Sequence, residues 1–242
     1  MSLLEVRGLT HRFGGLVAVS DVSFDVGEDE IVGIIGPNGA GKTTVFNLIS
    51  GIFRPSAGTV IFRGQDITKI GRPERVCRLG IGRTFQVVRP FGDMTVLENV
   101  MVGAFARTSH LAEAEAIARE VLGFLYLDHK ATVPAGSLTI AERKRLEVAR
   151  ALATRPKLLL LDEVMAGLNP TEVAEVVPLI RQIRSSGVAI LMIEHVMAAM
   201  MALAERIVVL NQGEVLAMGT PEEVTRDQRV IEAYLGEEVV HA

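Results

Sequence analysis

The chain has 242 residues, of which 49% are hydrophobic and 22% charged; this is the balance of a globular protein with a sizeable core and excludes a disordered one. Lys and Arg number 25 against 29 Asp and Glu, giving a net charge of −4, so the basic surplus of a nucleic-acid binder is missing. A single cysteine, Cys77, allows no internal disulfide and points to a reducing compartment.

Residues 1–15 lack a basic start followed by an apolar run, so no secretory signal is expected. Residues 3–7 and 22–26 alternate and predict half-buried antiparallel strands. Residues 31–35 are strongly apolar and run straight into a glycine-rich turn and a helix ending near Gly51. Another strand is expected at 59–62. From about residue 87 to 136 the pattern is mostly helical, as at 112–125. Residues 158–161 are four leucines, which fits a strand inside a parallel sheet. The most apolar stretch is 188–204, and mean hydropathy is high at +0.34. A membrane-spanning helix needs about 20 predominantly apolar residues, and a charge at its centre costs several kcal/mol. Glu194 and His195 break this stretch, so it reads as a strand at 188–193, a turn and a helix. Residues 207–210 and 214–217 flank Asn211-Gln212-Gly213, a hairpin signal. Thr220-Pro221-Glu222-Glu223 opens a last helix: Thr as N-cap, Pro in the first turn, Glu three residues on. The sum is an α/β fold, mostly parallel, with an antiparallel β part and a helical part.

Gly36-Pro37-Asn38-Gly39-Ala40-Gly41-Lys42-Thr43, followed by Thr44, fits GxxxxGK[ST] between a predicted strand and a predicted helix. Glycines are needed there because backbone N–H groups must curl around phosphate oxygens at close range. The helix start adds about half a positive charge. In this pattern Lys42 reaches the β- and γ-phosphates and the Thr43 hydroxyl ligates Mg²⁺. Asp162 and Glu163 end the apolar run at 158–161. Adjacent strand residues point to opposite faces, so the two take different jobs. Asp162 is expected to hold Mg²⁺, and Glu163 to orient or deprotonate a water. A positioned base contributes about 10²–10⁴-fold. A water-activating Glu also favours a hydrolase over a kinase, which must exclude water.

With these motifs in order, the chain resembles the ATP-binding subunits of ABC transporters along nearly its whole length. The resemblance implies a P-loop NTPase core at residues 1–86 and 156–242, carrying the antiparallel β part. A helical, signature-bearing part is implied at about 87–155, all within one domain. It places Phe13 under the adenine, and Gln86 of Arg83-Thr84-Phe85-Gln86 as a ligand to Mg²⁺ or the attacking water. Leu138-Thr139-Ile140-Ala141-Glu142 takes the place of the LSGGQ signature, with only Leu138 identical. Thr139 keeps the hydroxyl, Ala141 adds a Cβ where the family often has none, and Glu142 adds a negative charge unless it turns back to cap the helix. Asn169, in Ala166-Gly167-Leu168-Asn169, replaces the usual Asp of the D-loop. His195 matches the switch histidine that contacts the γ-phosphate. Thr139 to Glu142 and Asn169 to Glu172 are also capping boxes, which open helices whatever the function.

Residues 13–19, 82–86, 94–100, 166–172 and 231–237 are similar to the branched-chain amino acid import subfamily, which includes importers resembling those for urea and short amides. The resemblance implies ATP and Mg²⁺ as cofactors and a two-ATPase sandwich formed with a second copy or a related subunit. It also implies two hydrophobic permeases, a substrate-binding protein acting indirectly, and a place on the cytoplasmic face of the inner membrane. Val87, Val88, Pro90, Phe91, Met94, Val96 and Leu97 form an apolar group expected to divide between permease docking and core. Export of lipid or glycan by a related subunit shares the same catalytic set. A soluble ABC ATPase does too, but such proteins often carry two ATPase domains or long helical insertions.

Overall fold

The computed structural model describes residues 2–86 and 89–240, with side chains as far as residue 234. In chain order the strands are Ser2–Phe13 (β1), Leu16–Gly27 (β2), Ile31–Ile35 (β3), Ala57–Phe62 (β4), Gln65–Asp66 (β5), Ile81–Arg83 (β6), Leu158–Asp162 (β7), Ala189–Ile193 (β8), Arg206–Asn211 (β9) and Glu214–Gly219 (β10). The α-helices are Lys42–Ile49 (α1), Pro73–Leu79 (α2), Val96–Ala104 (α3), Leu111–Phe124 (α4), Ile140–Ala153 (α5), Pro170–Ser185 (α6), Met197–Leu203 (α7), Pro221–Arg226 (α8) and Gln228–Val240 (α9).

The apolar runs pair in parallel, in the order β9-β3-β8-β7-β6, and β10 adds an antiparallel edge beside β9. Every residue of β3, β7 and β8 is buried, because both faces of the sheet are covered. Alternation splits one strand between two cores. Leu159 and Leu161 of β7 join Ile190 and Met192 of β8 under the helices α3 to α7. Leu158 and Leu160 join Ala189, Leu191 and Ile193 on the other face, with α1 and the β1–β2 hairpin. That hairpin belongs to a second, antiparallel sheet, β2-β1-β4-β5. The predicted 3–7 and 22–26 strands are the half-buried middles of β1 and β2, which run on to Phe13 and back from Leu16.

Helix starts follow the chemistry of their caps. Thr139, Asn169 and Thr220 each accept the backbone N–H of the Glu three residues on, and each Glu reaches back. Thr95 and Glu98 make a fourth box, opening α3, from the same local signal. The β9–β10 hairpin turns on Gln212 and Gly213, both at positive φ, as a tight two-residue turn demands. One expectation fails: the helix opened by Thr220 is not the last. It stops at Asp227, whose carboxylate accepts the Arg229 N–H at 2.9 Å and starts α9. No helix among the described residues is long and apolar enough to cross a membrane; 188–204 is β8, a turn and α7.

Candidate functional site

The carboxyl ends of four neighbouring strands deliver one component each, which is where open α/β sheets bind ligands. The loop after β3 carries residues 36–44, β8 leads to His195, β7 to Asp162 and Glu163, and β6 to Gln86. One cleft is lined by Asn38 to Thr44 together with Gln86, Glu163 and His195, and is walled by Leu16, Val17 and Ala18 of β2.

The phosphate loop is built on glycine for two reasons. Gly36 and Gly41 sit at φ of 148° and 98°. A Cβ at Gly36 would lie 2.0 Å from the Leu210 carbonyl oxygen, and one at Gly41 would lie 2.6 Å from that of Ala18. Any side chain would push the loop off its neighbours. The loop leads into α1 with no side-chain cap and no acid in the first turn, so the positive helix end faces the cleft. Lys42 is buried and donates from Nζ to the carbonyls of Gly36 and Pro37, at 2.6 and 2.8 Å. Thr43 is exposed and Thr44 half-buried at the same cleft.

Asp162 ends β7 and is 1% exposed. Its Oδ2 accepts from Arg83 Nη2 at 3.1 Å, while Oδ1 is buried without a hydrogen-bond partner among the described residues. Burial pushes this carboxyl above its ordinary pKa, and the Arg83 guanidinium opposes the rise. Arg83 also donates to Asn47 Oδ1 at 2.7 Å and Ser50 Oγ at 2.8 Å, and lies against the rings of Phe46 and Phe85.

Glu163 is where the sequence-predicted residues meet. Gln86 Nε2 donates to its Oε2 at 2.8 Å, and His195 Nε2 lies 2.9 Å from its Oε1. What separates Asp162 from Glu163 is sharper than strand alternation. Glu163 sits past the strand at φ 51°, a left-handed conformation that costs a non-glycine residue about 1–2 kcal/mol. Its backbone is pinned on both sides: its N–H donates to the Ile193 carbonyl at 2.9 Å, and Lys144 Nζ donates to its carbonyl at 2.8 Å.

The signature segment stands apart from this cleft. None of Leu138, Thr139, Ile140, Ala141 and Glu142 lines it. Leu138 and Ala141 are buried, and Ile140 is 63% exposed at the start of α5. Glu142 does turn back: its carboxylate accepts the Thr139 N–H at 2.9 Å and pairs with Lys130 at 3.1 Å. The Thr139 N–H, then Lys130, hold its pKa below the ordinary glutamate value. Asn169 spends its side-chain oxygen on the Glu172 N–H at 3.0 Å, as N-cap of α6. Phe13 ends β1, half exposed, edge-on to His11 at 4.5 Å and to Phe53 at 5.3 Å. Of the apolar group after Gln86, Val87 and Val88 lie outside the described residues. Val96 is fully buried and belongs to the core, whereas Phe91 is exposed under the Arg150 guanidinium.

Three polar residues at the site went unread in the sequence: Arg83, Lys144 and Glu194. Arg83 was visible only as part of a motif. Lys144 carries no local signal. Glu194 appears only as a charge that breaks an apolar stretch.

A family model described as ABC transporter matches residues 19–166, and one described as branched-chain amino acid ATP-binding cassette transporter matches 214–240. The high-affinity branched-chain amino acid transport ATP-binding protein LivG of Escherichia coli (strain K12) is 44% identical, over 97% of this chain and 98% of its own. BraF of Pseudomonas aeruginosa, described in the same words, gives the same figures. The lipopolysaccharide export system ATP-binding protein LptB of Escherichia coli (strain K12) is 38% identical, over 98% and 99%. A crystal structure of the ADP conformation of an ATP-binding cassette of an ABC transporter matches with a TM-score of 0.88 and 31% identity, over 98% of this chain and 99% of the other. A phosphate loop, a carboxylate pair on the next strand but one and full-length similarity to cassettes of this kind agree: the chain belongs to the ABC transporter ATP-binding family, whose cassettes bind ATP and are ATPases coupled to transport.

Proposed function

We propose that this chain hydrolyses ATP for an importer of branched-chain amino acids, or of related small solutes such as urea and amides. The observation that carries the hydrolytic part is the pair of hydrogen bonds on Glu163, where Gln86 and His195 each take one carboxylate oxygen beside the phosphate loop. A carboxylate oriented this way is poised to draw a proton from a water in the cleft. The import branch rests on the match at residues 214–240 and on what LivG and BraF are named for.

In this reading the backbone N–H groups of residues 38–41, the start of α1 and Lys42 hold the phosphates. Lys42 exchanges its bonds to the Gly36 and Pro37 carbonyls for phosphate oxygens. Phe13 stacks on the adenine, and the hairpin end that carries it is exposed enough to receive a ring. Glu163 accepts the proton of the attacking water, Gln86 orients that water, and His195 holds Glu163 and contacts the γ-phosphate. The site suits a divalent cation: Asp162 Oδ1 is buried without a partner among the described residues, and Thr43 and Gln86 supply further oxygens in the cleft. Bound there by Thr43, Asp162 and Gln86, Mg²⁺ would neutralise charge developing on the phosphates.

The second half-site is the start of α5. Thr139 to Glu142, with Asn169 nearby in role, faces the nucleotide on a second ATP-binding subunit, and closure of the pair moves two permeases. Residues 1–86 and 156–242 act as the nucleotide core and about 87–155 as the arm that reaches across. Phe91 and its neighbours dock the permeases, which places the subunit at the cytoplasmic face of the membrane. The test is reconstitution with both permeases and the substrate-binding protein, screening branched-chain amino acids, urea and amides. Transport that stops in Glu163→Gln is the expected result. Hydrolysis without transport of any of these solutes overturns the import reading, and parental turnover in Glu163→Gln overturns the assignment of the base. Lipid export is the second reading, because the similarity to LptB also runs the full length; the higher identity to LivG and the 214–240 match favour import.

A further inference from the structure

The mechanism above does not use Glu194, a carboxyl only 2% exposed that precedes His195 in the chain and accepts a backbone N–H from the turn after Glu163. The parallel ladder of β7 and β8 ends at Asp162 opposite Ile193, and the Glu163 N–H adds one more bond, to the Ile193 carbonyl. There the backbone pairing stops, since the chain turns left-handed at Glu163. Glu194 Oε1 continues it by accepting the Met165 N–H at 2.9 Å. The same carboxyl faces the backbone N–H of His195, its chain neighbour. Met165 is fully buried, so its N–H has no water to turn to if this acceptor is lost. One side chain thus ties the turn that follows the base to the strand end that presents the histidine.

We propose that Glu194 is a positioning residue for ATP hydrolysis: its buried carboxyl fastens the 163–167 turn to the end of β8 and so fixes Glu163 and His195 against each other. This rests on Glu163 being the base. The cost of the arrangement argues that it serves the site. Glu194 Oε2 is buried without a hydrogen-bond partner among the described residues, and burial raises the pKa to about 7. The charged groups facing it are Lys144 on α5, which favours the carboxylate, and Glu163, which opposes it. An acid raised this way weakens the fold as pH climbs from the ordinary glutamate range to about 7, because the folded chain holds the proton longer than the unfolded chain. A neutral residue at 194 would avoid that loss.

The experiment compares Glu194→Gln and Glu194→Ala with the parent in steady-state ATPase and in thermal melting from pH 5.5 to 8.5. Gln keeps an oxygen for the Met165 N–H and removes the titration; Ala removes both. Expected for Ala is a fall of about tenfold in kcat with the KM for ATP within twofold. Expected for Gln is kcat within about twofold of the parent, together with a melting temperature that falls less than the parent's between pH 5.5 and 7. Equal losses in Gln and Ala, or parental kcat in Ala, overturn the proposal. If Ala does not fold, the Gln variant decides alone: a tenfold loss in its kcat is the overturning result. Glu163→Gln, run alongside, separates the two readings. Turnover retained in that variant removes the base and this inference with it, whereas turnover lost there but kept in Glu194→Ala removes only the inference.

Discussion

The two ends of the proposed ATP sandwich are built on opposite principles. At the phosphate-loop end the side chains other than Lys42 are held by partners far along the chain: Arg83 to Asp162, Gln86 and His195 to Glu163, Lys144 to the Glu163 carbonyl. At the signature end the polar contacts of Thr139 are local: the capping box it makes with Glu142 and the helical bond from the Arg143 N–H to its carbonyl. Gln86 and His195 are exposed at the cleft, but Asp162, Glu163 and Lys144 behind them are buried, and there removing one partner strands another in low dielectric. The second is a helix start that folds by itself and projects Ile140 into solvent. Hydrolytic chemistry needs groups fixed to fractions of an ångström, and a cross-linked interior supplies that. A surface meant to close on a separate molecule needs only a helix with its polarity and its first turn in order. The departures from LSGGQ fall at this second, tolerant end.

The largest expected effect is at the centre of the first end. Glu163→Gln is predicted to lower turnover by about 10²–10⁴-fold while leaving nucleotide binding in place, as measured by ATPase and by equilibrium binding. If binding falls in step with turnover, the carboxylate holds the cleft together rather than acting as a base. Next comes Arg83→Ala. It leaves Asp162 buried and unpaired, which typically costs about 3–5 kcal/mol. Urea unfolding is the measurement, and a loss below about 1 kcal/mol would show that the interior is less cross-linked than its hydrogen bonds suggest.

The same contrast decides what the sequence revealed. The phosphate loop was legible because backbone wrapping forces glycines into a fixed spacing, and the Asp162-Glu163 pair because a buried parallel strand must be apolar up to its end. The caps of α5, α6 and α8 were legible because a capping box is complete within four residues. Arg83, Lys144 and Glu194 were not, because their partners lie 79, 19 and 29 residues away and no periodicity links them. Helix α9 was hidden for another reason: its start depends on Asp227 capping a turn just after a six-residue helix, so the two read as one. Val96 read as one of a surface-capable group because composition cannot tell the apolar face of α3 from its rim.

The remaining predictions probe the signature end, and they are smaller. Phe91→Asp is expected to spare folding and nucleotide binding, since the ring is half exposed, yet to weaken co-purification with the permeases; unchanged assembly would move the docking surface elsewhere. Thr139→Ala removes an N-cap and should cost about 1 kcal/mol, a melting shift of about 2–4 °C in a chain of this size, with ATP binding by the isolated subunit unchanged.

The smallest effect on the fold, and the most telling for the comparison, is expected from Glu142→Gln. Gln at the third helical position still completes the capping box, so the helix start survives. What disappears is one negative charge and its half-buried pair with Lys130, a change within about 1 kcal/mol of neutral for folding. That carboxylate is held below its ordinary pKa and therefore stays ionised through the neutral range. Ionised, it partly cancels the positive end of α5 that would face a phosphate of the opposite subunit. ATP-dependent association of Glu163→Gln subunits should therefore tighten when Glu142→Gln is added, while the melting temperature holds. Association that weakens instead would mean that the carboxylate is needed in the closed pair, and that the signature end, like the phosphate-loop end, depends on a specific partner.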